Sequence, residues 1–298
     1  MKLKFQTALF FQALLFSCIS HASSGWPMVI GHRGMGAHSS VKPENTLPAL
    51  EEALQRGVTA VEFDVQLTAD YGVILAHDPK LERTTSGRGC VSESFLNDIL
   101  QMSVRDGSGK LYPEIQPSTL QQALASIQYY DRGDRPFLAD IHIKVYDGLK
   151  GDWGGPLNGR CNPTQYAALT HAVLGHVREA GMLERVIFTS FDTRVLDLIK
   201  QTEPSAKVGM LGYFRPGRAQ TISKGKYDYV ILNHARMHRH TVQSAQSLGL
   251  RVLAWTPNEE SEISDLIFNQ KVDGVITDNI AHAVSAREKM ATFSSEPD

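Results

Sequence analysis

Apolar and polar positions along this chain follow two alternating periods. Short β-rich runs recur at Met28–His32, Ala60–Leu67, Phe137–Lys144, Arg185–Phe191, Lys207–Leu211, Tyr229–Leu232, Arg251–Trp255 and Gly274–Ile276. The second of these alternates strictly, Ala-Val-Glu-Phe-Asp-Val-Gln-Leu, so its two faces differ. Helical stretches lie between the runs, at Leu47–Arg56, Pro163–Ala180, Thr193–Gln201, Arg239–Leu248 and Glu259–Asn269. Strands alternating with helices in this way predict a (β/α)8 TIM-type barrel of the α/β class rather than an open doubly wound sheet. No glycine-rich dinucleotide fingerprint follows the first strand, which also argues against the open sheet.

One interval breaks the rhythm. About 70 residues separate the second run from the third, far more than a βα loop needs. Within it, Asp64–Thr68 and Val73–His77 flank Ala69-Asp70-Tyr71-Gly72, the pattern of a hairpin turn. The expectation is a barrel over residues 25–290, an insertion over about 68–125 rising from the C-terminal face, and a tail at 291–298.

Residues 1–24 stand apart. Lys2 and Lys4 precede an apolar run from Thr7 to Ser17, and small residues follow at Ala22 to Gly25. That order reads as a secretory signal peptide, too short to span a bilayer comfortably, so the chain is expected to be secreted or periplasmic with no transmembrane segment once the signal is removed. The alternative is a membrane-anchored lipoprotein carrying a lipid anchor at Cys18, because Leu15-Phe16-Ser17-Cys18 resembles a lipoprotein box. After signal removal Cys90 and Cys161 remain, an even pair compatible with one disulfide in an oxidising compartment and also with two unpaired thiols. Formal net charge is −2, which gives no electrostatic case for nucleic acid as a partner.

Charged residues gather where a barrel's active site lies, at the C-terminal ends of strands. The first strand ends in Gly31-His32-Arg33-Gly34, and the second carries Glu62 and Asp64 on one face. His77-Asp78 closes the hairpin, and the third barrel strand carries Asp140, His142 and Lys144 on one face. Paired carboxylates in an apolar barrel mouth suit a divalent cation with oxygen ligands. Arg33 can fork two bonds to a phosphate, Lys144 adds a second cation, and His32 and His77 can exchange protons near neutrality.

These pieces, in order, resemble the glycerophosphodiester phosphodiesterase family. The matching motifs are Gly-His32-Arg33-Gly, Pro43-Glu44-Asn45-Thr46, Glu62-Phe-Asp64-Val, Thr68-x-Asp70, and His77-Asp78-Pro79 followed by Leu-Glu-Arg-Thr-Thr. Shorter matches follow at Pro117–Leu120, Ser190-Phe191, Trp255-Thr256 with Asn258, and Gly274–Asp278, so the resemblance spans roughly residues 28 to 285. It implies a metal-dependent phosphodiesterase that hydrolyses small glycerophosphodiesters to glycerol 3-phosphate and an alcohol. It also implies His32 and His77 as the acid–base pair, Glu62 and Asp64 as metal ligands, and Arg33 and Lys144 as phosphate binders. Glu44 is expected at the mouth, on the metal or just behind it, while Asn45 fixes the loop. Trp255 is expected to line the pocket beside the alcohol or a choline cation. A related lipid phosphodiesterase, of lysophospholipase D or sphingomyelinase D type, and a non-catalytic phosphodiester-binding protein are the competing functions.

The chain departs from the family on its third barrel strand, where Glu-x-Lys is usual and His142-x-Lys144 stands. If His142 is the third ligand, the site gains a nitrogen and leans towards Mn²⁺, Co²⁺ or Zn²⁺; if Asp140 is, Ca²⁺ or Mg²⁺ fits better. The register of Lys144 favours His142. Three further features are discounted. His234, His238 and His240 match no metal spacing, Ser190 has no nucleophile elbow around it, and Trp153–Pro156 reads equally as a lid or an ordinary loop.

Overall fold

In the computed structural model the structure describes residues 26–293, apart from 38, 40–41, 132–135, 147–160 and 213–226. The signal segment, Cys18 and Trp153–Pro156 lie outside the described residues. In chain order the first half contains β1 (Met28–Gly31), α1 (Leu47–Gln55), β2 (Ala60–Leu67), β3 (Val73–Leu75), α2 (Leu96–Leu100), β4 (Val104–Arg105), β5 (Leu111–Tyr112) and α3 (Leu120–Tyr129). The second half contains β6 (Leu138–Ile143), α4 (Tyr166–Glu179), β7 (Val186–Ser190), α5 (Thr193–Thr202), β8 (Lys207–Gly212) and β9 (Tyr229–Asn233). It ends with α6 (Arg239–Gln246), β10 (Arg251–Trp255), α7 (Glu260–Ser264), β11 (Gly274–Thr277) and α8 (Ile280–Phe293).

β1, β2 and β6 to β11 pair in parallel, each with its neighbours, and the β1–β2 pairing closes the ring. The predicted (β/α)8 barrel is therefore the fold. Alternation along the strands sorts the residues into two layers. Val61, Phe63 and Val65 of β2 pack outward beneath the helices, in one large core with Leu50 and Leu54 of α1 and Leu174 of α4. Burying each such side chain contributes about 1.5–3 kcal/mol. Inside the ring, Met28, Ile30, Ala60, Ile187, Tyr229, Ile231, Leu253 and Ile276 form an apolar floor. Above that floor the same inward positions turn charged. The β2–β6 register sets Glu62 opposite Asp140 and Asp64 opposite His142, one layer nearer the mouth.

The insertion begins as β3 folds back antiparallel on β2. Its turn is held by Thr68, whose N–H donates to Gly72 O (2.9 Å) and whose hydroxyl oxygen accepts from Gly72 N (2.9 Å). Tyr71 sits in this turn at φ 63°, left-handed backbone that glycine adopts more readily than a residue with a side chain. Ile74, Leu81, Val91 and Ile99 form a small core of the insertion's own. A disulfide joins Cys90 to Cys161, tying the insertion to the segment after β6. The insertion ends sooner than the expected residue 125. α3 starts at Leu120 with a capping box on Thr119, and Leu120, Ala123, Leu124 and Ile127 lie in the main core, so α3 is a barrel helix. At the other end α8 runs to Phe293, past the boundary drawn at residue 290.

Candidate functional site

The chain leaves β1 in a turn that only small residues permit. A Cβ on Gly31 would lie 2.4 Å from Gly34 O, and Gly34 sits at φ 82° against the backbone of Ala49. Between them Arg33 adopts φ 49°, a conformation costing a side-chain-bearing residue about 1–2 kcal/mol. This turn aims the Arg33 N–H at Glu62 Oε2 (2.8 Å). The next motif residues precede α1, which Thr46 caps by accepting from Ala49 N (3.3 Å). Asn45 does fix the loop. Its Nδ2 donates to Asp64 Oδ2 (2.9 Å) and its Oδ1 accepts from Asp64 N (3.0 Å). Beyond β3, Ala76 N donates to Asp64 O (3.0 Å) and Gln66 Nε2 to Ala76 O (2.9 Å) and Asp78 O (2.6 Å). These bonds set His77 beside Asp64, and the Tyr146 hydroxyl donates to the His77 carbonyl.

Glu62, Asp64 and His142 bring one donor atom each to within 4.8 Å of one another, all three being buried. Burial, with the charge of Asp64 next in importance, pushes the Glu62 carboxyl well above its ordinary range. Burial would raise Asp64 as well, but Lys144 (Nζ 3.5 Å from Oδ1), His77, His142 (Nδ1 3.0 Å from Oδ1) and Arg33 hold it well below. Two buried carboxylates of unequal acidity beside an imidazole form a donor set that fits a divalent cation. Asp140 lies outside the set. Its Oδ1 accepts from Thr189 Oγ1 (2.7 Å), its Oδ2 is buried without a hydrogen-bond partner, and burial pushes the carboxyl up to about 7. The three groups that meet are thus the two carboxylates and His142.

Both histidines are braced by carboxylates. His77 Nδ1 lies 2.7 Å from Asp78 Oδ1, and His32 Nδ1 lies 2.6 Å from Asp278 Oδ1. Burial alone would raise both carboxyls. Bonds from His77 and Arg83 outweigh it at Asp78, and the His32 bond and charge outweigh it at Asp278, which falls to about 2. Ionised carboxylates only accept, so each Nδ1 carries the proton and each Nε2 is left for chemistry. Burial first, then the Lys144 charge, lowers His77 to about 4 and keeps it neutral at physiological pH.

Glu44 stands outside the Glu62–Asp64–His142 cluster. Its side chain, 1% exposed, accepts from Arg33 Nη1 (2.9 Å) and from both terminal nitrogens of Arg83 (2.8 and 2.9 Å). Burial would raise its carboxyl, but these guanidinium groups pull it below the usual range. Burial would lower Arg33, but the Asp64, Glu44 and Glu62 carboxylates outweigh it and raise the guanidinium. Lys144, 1% exposed at its side chain, follows β6 with its N–H on Val65 O (3.1 Å).

His32, Arg33, Glu62, Asp64, His77, Asp140, His142 and Lys144 line one cavity of about 260 Å³, together with Trp255. The lining also includes apolar Phe191, Leu211, Ile231, Trp255 and Ile276, with the Phe191 ring 5.6 Å from that of His142 and edge-to-face with Trp255 at 6.4 Å. Trp255 lines the pocket as expected, while the sequence reading gave no role to Asp278, Arg83, Phe191 or the aliphatic lining. Asp278 was detectable in principle, because it directly follows the last barrel strand. Ser190 is structural, its buried hydroxyl donating to Ile143 O (2.8 Å). His234 lies behind Trp255, with Nδ1 3.3 Å from its carbonyl.

Residues 32–282 match the glycerophosphoryl diester phosphodiesterase family. A glycerophosphodiester phosphodiesterase of Caldanaerobacter subterraneus subsp. tengcongensis is 28% identical over 85% of this chain and 94% of its own. One of Bacillus altitudinis is 24% identical over 88% and 98%. Among solved structures, an Oleispira antarctica phosphodiesterase in complex with the product sn-glycerol-3-phosphate superposes with a TM-score of 0.73 at 25% identity, covering 88% of this chain and 97% of that one. A putative glycerophosphoryl diester phosphodiesterase of Silicibacter pomeroyi gives 0.74 at 25% identity, covering 89% and 94%. With that match running from the His32 turn to beyond Asp278, the chain belongs to the glycerophosphoryl diester phosphodiesterase family.

Proposed function

We propose that this protein hydrolyses small glycerophosphodiesters to glycerol 3-phosphate and an alcohol, with a divalent cation held by Glu62, Asp64 and His142. The observation that carries this reading is the pair of carboxylate-braced imidazoles facing one cavity with that donor set. A protein that only bound diesters would have no use for two such imidazoles. The bound cation would neutralise charge building on the phosphoryl oxygens.

Arg33 and Lys144 hold the phosphate from the same side of the cavity. His77 Nε2, neutral because its site is dry and faces Lys144, takes the proton of the attacking hydroxyl. His32 delivers its proton to the alkoxide as the phosphorus–oxygen bond to the alcohol breaks. In this reading the attacking group is the substrate's own glycerol hydroxyl, so a cyclic phosphodiester forms. Water then opens the ring with roles exchanged: His32 accepts the water proton and His77 returns its own to the departing ring oxygen. The two histidines end as they began.

The nitrogen of His142 favours Mn²⁺, Co²⁺ or Zn²⁺ over Ca²⁺ and Mg²⁺, because imidazole suits transition ions and an all-oxygen shell suits the others. Asp140 and Glu44, which could have completed such a shell, are bonded to Thr189 and to two guanidinium groups. Residues 1–24 are read as an export signal, a reading supported by the Cys90–Cys161 bond, which an oxidising compartment maintains. No helix among the described residues is long and apolar enough to cross a membrane.

The test is a panel of glycerophosphodiesters assayed with purified protein before and after chelation. Turnover should yield glycerol 3-phosphate, vanish with EDTA and return with a divalent cation. Full activity in metal-free protein, or no turnover of any diester with any added cation, would overturn the proposal.

A further inference from the structure

Arg83 belongs to the insertion and, among the described residues, is not part of the cavity lining, yet it reaches both halves of the site. Its Nη1 and Nη2 grip the two oxygens of Glu44 (2.9 and 2.8 Å), and its Nε and Nη2 grip those of Asp78 (2.5 and 3.2 Å). Each carboxylate passes the contact on. Glu44 Oε1 also holds Arg33 Nη1, and Asp78 Oδ1 also holds His77 Nδ1. One planar guanidinium therefore spans the chain Arg33–Glu44–Arg83–Asp78–His77. A surface ion pair ordinarily contributes little. This one is different, because the Glu44 side chain is 1% exposed and the fork is bidentate towards one carboxylate and two-pointed towards the other.

We infer that Arg83 is a positioning residue: it fixes the distance between the phosphate-binding Arg33 and the proton-transferring His77. The inference rests on the proposed phosphodiesterase reading. Without Arg83, Glu44 keeps a buried charge with Arg33 as its remaining guanidinium partner, so Arg33 is drawn onto Glu44 and away from phosphate. Asp78 loses its second anchor, and the His77 ring is freed to turn. The first effect raises KM and the second lowers kcat. Lys cannot replace Arg here, since an ammonium group has no fork to hold two carboxylates in fixed relation.

The experiment compares metal-saturated wild type with R83M and R83K on glycerophosphocholine, measuring kcat, KM and thermal stability, with ¹⁵N NMR of the histidine rings. R83M should lose at least about tenfold in kcat and raise KM severalfold, the scale of one lost charge-assisted hydrogen bond in each branch. R83K should recover little. Millimolar guanidinium should partly rescue R83M and leave wild type unchanged. E44Q in the R83M background should bring KM back towards wild type, because nothing then pulls Arg33 aside. The His77 Nδ1 signal should lose its single environment in both R83M and R83K. R83M or R83K turning over within about twofold of wild type, or an unchanged His77 signal, would overturn the inference. Wild type inert towards every diester would instead sink the phosphodiesterase reading, and the ring signal would still decide whether Arg83 holds His77.

Discussion

Replacing Asp278 with Asn tests the support of the other histidine. The Asp278 carboxylate accepts from His32 (2.6 Å), Ala37 N (3.2 Å) and Asn258 Nδ2 (3.1 Å), and its pKa falls from 3.8 to about 2. At 1.36 kcal/mol per unit, that favours the anion by roughly 2 kcal/mol; burial opposes it and the His32 bond is the largest favourable contributor. Asn keeps the shape and one acceptor oxygen but exchanges a charged hydrogen bond for a neutral one, a loss of about 1–2 kcal/mol. If His32 delivers the proton to the leaving alkoxide, kcat should fall roughly 5–30-fold on an alkyl diester while KM barely moves. Stability supplies a second readout. A carboxylate with a depressed folded pKa stabilises the protein above its unfolded pKa, and that contribution is lost as pH falls through the folded value. Wild type should therefore lose stability between about pH 4 and pH 2, and D278N should show a flatter profile there and lower stability at neutrality. Unchanged kcat in D278N, or a rise in KM alone, would refute the assigned role of the His32–Asp278 pair.

Three further outcomes are expected. H142E should keep the fold and move the preference for Mn²⁺ or Co²⁺ towards Mg²⁺ or Ca²⁺ by at least about tenfold, measured by calorimetric metal titration; an unchanged ratio would remove His142 from the ligand set. Because His77 must be neutral to accept a proton and its pKa is lowered to about 4, kcat/KM should persist well below pH 6.5 and fall only as pH drops towards 4; an acid limb at 6.5 or above would contradict this. Thiol labelling of denatured, unreduced protein should find Cys90 and Cys161 blocked, and removing that bond, which closes a separation of 71 residues, should cost about 4 kcal/mol and roughly 10 °C in Tm.

The barrel and the inner half of the site were legible because their signals are periodic. On β2, Val61, Phe63 and Val65 alternate with Glu62 and Asp64, and a parallel strand buried on both faces gives those carboxylates nowhere to go but the interior. The same argument carried Asp140, His142 and Lys144, and register with β2 then separated them: His142 lies level with Asp64 and Asp140 one layer deeper. What stayed hidden depends on contacts between residues far apart in sequence, about which periodicity says nothing. Glu44 could be placed at the mouth but not assigned to Arg33 and Arg83, because a carboxylate looks the same in sequence whether a cation or a guanidinium answers it. Asp278 is 246 residues from His32, and the parallel pairing of the first strand with the last, β1 with β11, is what brings the two together. α3 was absorbed into the insertion because residues 68–119 carry scattered glycines and prolines up to its first turn. Strand faces thus reported which groups enter the site, while ring closure and the insertion, which is absent from the repeating pattern, decided which of them hold one another in place.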